Sequence, residues 1–149
     1  MSERADAEPQ PPVLLTEEAP DARRQRRALL VTDPNPARRR GDPIDYLIAY
    51  EAPLGGDGSL LRLTYVPGKL ILAAHALPAY LDALNAALPP EALAHVVLDD
   101  LNDELVPRWV QIVIERPPTG PAALGLRVLV EDREPHWDDA ALMRRAPGL

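Results

Sequence analysis

The 149 residues contain no cysteine. That absence excludes disulfides, thiolate metal sites and thiol nucleophiles together. No apolar run approaches the roughly 18 residues of a membrane-spanning helix, and the N-terminus carries acids and prolines where a signal peptide carries an apolar stretch. A cytoplasmic protein with no membrane partner is the expectation. Lys and Arg are not in excess either. A formal net charge of −7 argues against a nucleic-acid partner, because neutralising phosphates takes a surplus of cations on the docking face. The basic clusters Arg23-Arg-Gln-Arg-Arg27 and Arg38-Arg-Arg40 sit among acids and prolines, as in a solvated tail. The three histidines, His75, His95 and His136, lie far apart and offer no closely spaced pair for zinc, so no metal is expected. Gly55-Gly56 is too short for a Walker or dinucleotide loop, and no Ser-His-Asp arrangement can be picked out.

The apolar residues, at 46% with charges of both signs, suit one soluble domain. They are unevenly spread. Residues 1–43 are rich in Pro, Arg, Asp and Glu with little apolar periodicity, and such a leader is expected to be mostly disordered. Within it, only Val13-Leu-Leu15 and Ala28-Leu-Leu-Val31 offer short apolar segments that could dock on a body. The folded domain is expected over 44–132, with a C-terminal tail at 133–149.

Inside the domain, Tyr46, Ile48 and Tyr50 alternate with Leu47, Ala49 and Glu51, and Leu61, Leu63 and Tyr65 alternate with Arg62 and Thr64. Two half-buried strands follow from that period of two. Val110, Ile112 and Ile114, then Leu124, Leu126, Val128 and Val130, predict two more. A short fifth strand at Lys69–Ala73 follows the Pro67-Gly68 turn. Leu77, Tyr80, Leu81, Leu84 and Leu88 make one helical stripe opened by Pro78. Leu93, Val96, Val97, Leu101 and Leu105 make a second opened by Pro90, with Asp99, Asp100, Asn102 and Asp103 largely outside it. Strand, strand, helix, helix, strand, strand predicts an α+β class: a four-stranded antiparallel sheet with two helices packed on one face.

Several segments then resemble a known family. Leu63-Thr-Tyr-Val-Pro-Gly-Lys-Leu-Ile-Leu72, Leu98-Asp-Asp-Leu101, Pro107-Arg-Trp109, and Asp33-Pro-Asn-Pro36 with Asp45-Tyr-Leu-Ile48 are similar to the 7-cyano-7-deazaguanine (preQ0) nitrile reductases of queuosine biosynthesis. The resemblance covers roughly 90 residues. It implies a tunnelling fold, in which such units assemble into multimeric barrels, so a homo-oligomer or coassembly with a homologue is expected. It also implies a purine-like ligand and NADPH.

The family's functional residues carry over unevenly. Its thioimide-forming cysteine is replaced by Tyr50 or Glu51, so a degenerate member without that covalent step is implied. Its proton-transfer aspartate falls on Asp57, which between Gly56 and Gly58 is also the residue type of a turn. Its ring-anchoring glutamate falls on Glu91, whose carboxylate would accept two hydrogen bonds from a purine's amide and amine. In the first turn of a helix, Glu91 equally complements the macrodipole. In the NADPH-associated stretch, Ala73-Ala-His-Ala-Leu-Pro-Ala-Tyr-Leu81 keeps only packing residues, and His75 stands where the family has a lysine. His75 is thus a weak candidate for meeting a phosphate, and no cofactor residue is assigned. Two alternatives stay open: different chemistry on a purine or pterin, with Asp57, Glu91 or His75 as acid or base, or a structural subunit.

Overall fold

The alternation of β3 (Ser59–Val66) and β5 (Trp109–Thr119) decides the architecture. In the computed structural model, which describes residues 19–39, 44–85 and 87–146, these two strands are the centre of a four-stranded antiparallel sheet. The order is β2-β3-β5-β6, with β2 at Ile48–Leu54 and β6 at Leu124–Arg133 on the edges. Leu63 sits opposite Tyr50 on one side and Ile112 on the other, and Ile112 sits opposite Val130. One face therefore collects Leu61, Leu63, Tyr65, Val110, Ile112 and Ile114, all buried. Helices α2 (Ala76–Asp82) and α3 (Pro90–Leu105) cover it with Leu77, Tyr80, Leu93, Val97, Leu101 and Leu105. The class is α+β, as expected, and its layout is compatible with a tunnelling-type unit.

The predicted short strand exists as β4 (Leu70–Leu72). It pairs in a separate two-stranded sheet with β1 (Thr32–Pro34), Thr32 opposite Leu72. Asn35, buried, explains why that pair forms. Its Nδ2 donates to the Gly68 carbonyl at 2.8 Å, and its Oδ1 accepts from the Ala37 N–H and the Tyr46 hydroxyl at 3.1 and 2.7 Å. The Asp33-Pro-Asn-Pro36 motif is thus a clamp on the Pro67-Gly68 turn.

The described part of the leader, residues 19–39, holds regular elements. Pro20–Ala28 forms a helix, α1, which Pro20 opens, and β1 and a short 3-10 turn at Pro36–Arg39 follow. Among the described residues of the leader, Leu30 is the one deeply buried apolar residue, 4% exposed. What holds α1 is ionic: Arg26 and Arg27 reach Asp100, which is completely buried on α3 rather than on its polar side as its neighbours suggested. Val13–Leu15, the rest of residues 1–18, and 40–43 lie outside the described residues.

Two further differences are local. Helix α2 stops at Asp82 although Leu84 and Leu88 continue its stripe, because an Asn85 turn and then Pro89-Pro90 intervene, and residues before proline avoid helical backbone. Helix α3 ends on Val106 at φ 45°, ψ 59°, a left-handed cap on a β-branched residue, 67% exposed. There a Cβ costs roughly 1–2 kcal/mol. Val106→Gly is therefore expected to raise stability by about 1 kcal/mol and Tm by about 3 °C. An unchanged or lower Tm in a calorimetric scan would count against a strained cap.

Candidate functional site

The core-facing row of β5 reads Val110, Ile112, Ile114 and then Arg116. Period-two geometry carries that last side chain just past the apolar core, where a bulge between Arg116 and Thr119 begins. On β3 the row likewise ends in a polar residue, Ser59, which is buried. Here the sheet outruns the short α2, and a cleft of about 520 Å³ opens. Its floor is Leu54, Leu84, Leu88, Leu93 and Ile114, and its rim carries Asp57, Asp82 and Arg116.

Asp57 lies in the β2–β3 hairpin turn, where Gly55 and Gly58 take positive φ of 73° and 86°. Its Oδ1 accepts the Ser59 N–H at 3.0 Å, the bond of an Asx turn. The Ser59 side chain and N–H, with Arg116 beyond, hold the carboxyl below its ordinary pKa. At neutral pH Asp57 is an ionised acceptor, able to meet an amine and unsuited to giving up a proton.

Glu91 stands in the first turn of α3 with an exposed side chain. Pro90 and Leu93, three residues apart, face the cleft, whereas Glu91 lies outside that pair and lines no part of it. His95 Nδ1 lies 2.8 Å from the Glu91 carbonyl oxygen, so the exposed His95 serves the helix backbone. His75 is exposed at the N-cap of α2, about 10 Å by helical rise from the cleft-lining Asp82. The structure therefore brings Asp57 to the cleft, Glu91 beside it, and leaves His75 apart. Asp82 and Arg116 join the site without having been picked out from the sequence. Extending the β5 alternation by one step would have found Arg116.

A second polar cluster lies inside the helix layer. Asp100 accepts from Arg26 Nε at 2.7 Å, Arg26 Nη2 at 3.0 Å, Arg27 Nε at 2.7 Å and the Tyr80 hydroxyl, while Arg27 also pairs with Asp103. Burial pushes the Asp100 carboxyl up, but these donors outweigh it and hold the group below its usual value. Burial, and next the Asp100 charge, push the Tyr80 phenol well above its usual value. With four donors on two oxygens the carboxylate is saturated, and it has no lone pair left for a ligand.

Among the described residues no group of three side chains could hold a metal ion, and no helix is long and apolar enough to cross a membrane. The positions that the resemblance assigns to NADPH do not suit a phosphate clamp. His75 stands alone, and residues 117–123, between Arg116 and β6, include no cation.

The fold and cleft thus define an α+β protein with an apolar-floored, charge-rimmed site at the end of its helix layer. No family model matches the chain. It is 31% identical over 88 residues to the NADPH-dependent 7-cyano-7-deazaguanine reductases of Prochlorococcus marinus strains MIT 9303 and MIT 9313. The match covers 57% of this chain and 65% of each relative, and it supports a distant relationship to those reductases.

Proposed function

We propose that the protein is a nitrile-reductase-like member of 7-deazaguanine metabolism that binds a purine-like ring in the cytoplasm without a thioimide step. The observation that carries this is the match to the two reductases, which coincides with a ring-sized cleft between the β2–β3 hairpin and the start of α3. In this reading Leu54, Leu84 and Ile114 supply apolar surface for the ring. Glu91, beside the cleft, swings in to accept its amide and amine, and Asp57 makes a polar contact. With no cysteine there is no thiolate to attack a nitrile. Among the described residues β2 and β6 form the open edges of the sheet, which favours a homo-oligomer or coassembly with a homologue.

The test is a thermal-shift titration with 7-cyano-7-deazaguanine, its aminomethyl counterpart, guanine and a pterin, each with and without NADPH. At a hundredfold excess over Kd, a ligand that binds only the native state stabilises it by about 2.7 kcal/mol. At least one ring is expected to give a saturable shift. Glu91→Ala is expected to weaken that ring about 100-fold, from the loss of two charge-assisted hydrogen bonds. No shift with any ring would remove the pocket assignment and favour a purely structural subunit.

A further inference from the structure

The rim of the cleft holds two carboxylates, Asp57 and Asp82, against one guanidinium, Arg116, above a floor of leucine and isoleucine. These charges are not equivalent. Asp57 is engaged by Ser59 in its own turn. Asp82 is the last residue of α2, exposed, and no hydrogen bond or ion pair engages its carboxylate among the described residues. Arg116 likewise makes no ion pair there, although Glu115, one residue earlier and on the opposite face of the sheet, is paired with Arg62 and Arg127. The pairing pattern satisfies Arg62 and Arg127 on the outer face and, among the described residues, leaves Arg116 in the cleft with no contact ion pair, only the longer-range attraction of Asp57.

We infer that the cleft selects its ligand by charge, with Arg116 donating to the carbonyl edge of a ring and Asp82 facing a protonated amine on the same molecule. The inference rests on the ring-binding reading and adds to it the sign of the substituent that the site prefers. A carboxylate or phosphate in place of the amine meets two carboxylates with one guanidinium to offset them. An aminomethyl group carries the charge that the rim lacks. At separations of about 7 Å and an effective dielectric constant near 40, one such charge changes affinity on the order of fivefold. The effect weakens with salt, because the rim is open to solvent.

One ring carrying three substituents isolates the variable. The full chain is titrated calorimetrically with 7-cyano-7-deazaguanine, which is neutral, its 7-aminomethyl counterpart, a cation, and its 7-carboxy counterpart, an anion. The expected order is aminomethyl tightest and carboxy weakest, with a spread on the order of 25-fold at low salt that narrows in 0.5 M salt. Asp82→Asn is expected to lose about fivefold for the aminomethyl ring and little for the cyano ring. Arg116→Gln is expected to weaken the cyano ring several-fold and the carboxy ring more, and so to widen the preference that Asp82→Asn narrows. Residues that merely hold the fold would not move the ratio in opposite directions. Both side chains are exposed, and far-UV circular dichroism checks that each variant is folded. If the three rings bind the wild type alike, or the ratio is unmoved in both variants, charge selection is wrong and ring binding stands. If no ring binds the wild type, the ring-binding reading fails and takes this inference with it.

Discussion

Asp100→Asn is expected to lower the stability of the protein by about 3–5 kcal/mol, with a fall in Tm on the order of 10 °C. The carboxylate is completely buried and receives both arms of Arg26, one of Arg27 and the Tyr80 hydroxyl. An asparagine keeps one acceptor oxygen and turns an NH2 toward groups that are all donors. It also removes the charge that offsets two guanidiniums, one of them buried. The loss should extend beyond α3, because Asp100 joins three elements: α1 through Arg26 and Arg27, α2 through Tyr80, and its own helix. Trypsin should therefore cut the Arg23–Arg27 stretch faster in the variant. The acid limb gives an independent check. The folded carboxyl titrates below its unfolded value, so its contribution is present above about pH 4 and is lost as pH falls through the lowered value. The variant lacks that component and should show a flatter fall in stability below pH 4. A melting temperature within 2 °C of wild type, with unchanged tryptic resistance, would show that the cluster stabilises nothing.

The same cluster marks where the sequence stops being legible. The sheet could be read because Leu61, Leu63 and Tyr65, or Val110, Ile112 and Ile114, carry their signal within a few residues, and a period of two needs no knowledge of the partner strand. The pairing of Arg26 with Asp100 spans 74 residues, and neither end looks apolar. A leader of arginines, acids and prolines reads as unable to order itself when only hydrophobic burial is counted. Here burying an ion pair, with Leu30 beside it, anchors α1. The overlong α2 stripe failed for the opposite reason. Leu84 and Leu88 do face the interior, but from the loop that forms the cleft floor, so their burial was right and their backbone was not. At the site, Asp57 was visible only through the resemblance, since its flanking glycines by themselves mark a turn, which is where it lies. Asp82 and Arg116 acquire meaning only once the end of α2, the hairpin and the end of β5 meet.

Trp137→Ala is expected to cost about 3 kcal/mol and to expose Trp109. On the sheet face away from α2 and α3, Trp137 packs with Val66, Trp109 and Ala146, and Leu47, Leu142 and Met143 close around them. Its indole N–H donates to Asp45 Oδ2 at 3.1 Å, while Asp45 Oδ1 lies 3.2 Å from Arg108 Nε, so one aspartate ties the C-terminal segment to the start of β5. Trp109 donates in turn to Glu131 on β6 at 3.1 Å. The short α4 (Ala140–Met143), capped by Asp139, has too few residues to persist without that contact. Removal of the Trp137 ring takes away its largest apolar anchor. Because the chain has two tryptophans, the variant leaves Trp109 as the sole emitter, and its fluorescence should shift to the red as water reaches the ring. The Asp45–Arg108 pair remains, which is why Trp137→Phe should keep Trp109 shielded and recover most of the stability, losing only the hydrogen bond, about 1 kcal/mol. A blue, unshifted emission from Trp109 in the alanine variant, with Tm unchanged, would mean that the C-terminal segment does not cover this face. With the shift observed, residues 137–146 count as part of the folded body, closing the sheet face that the two helices leave open.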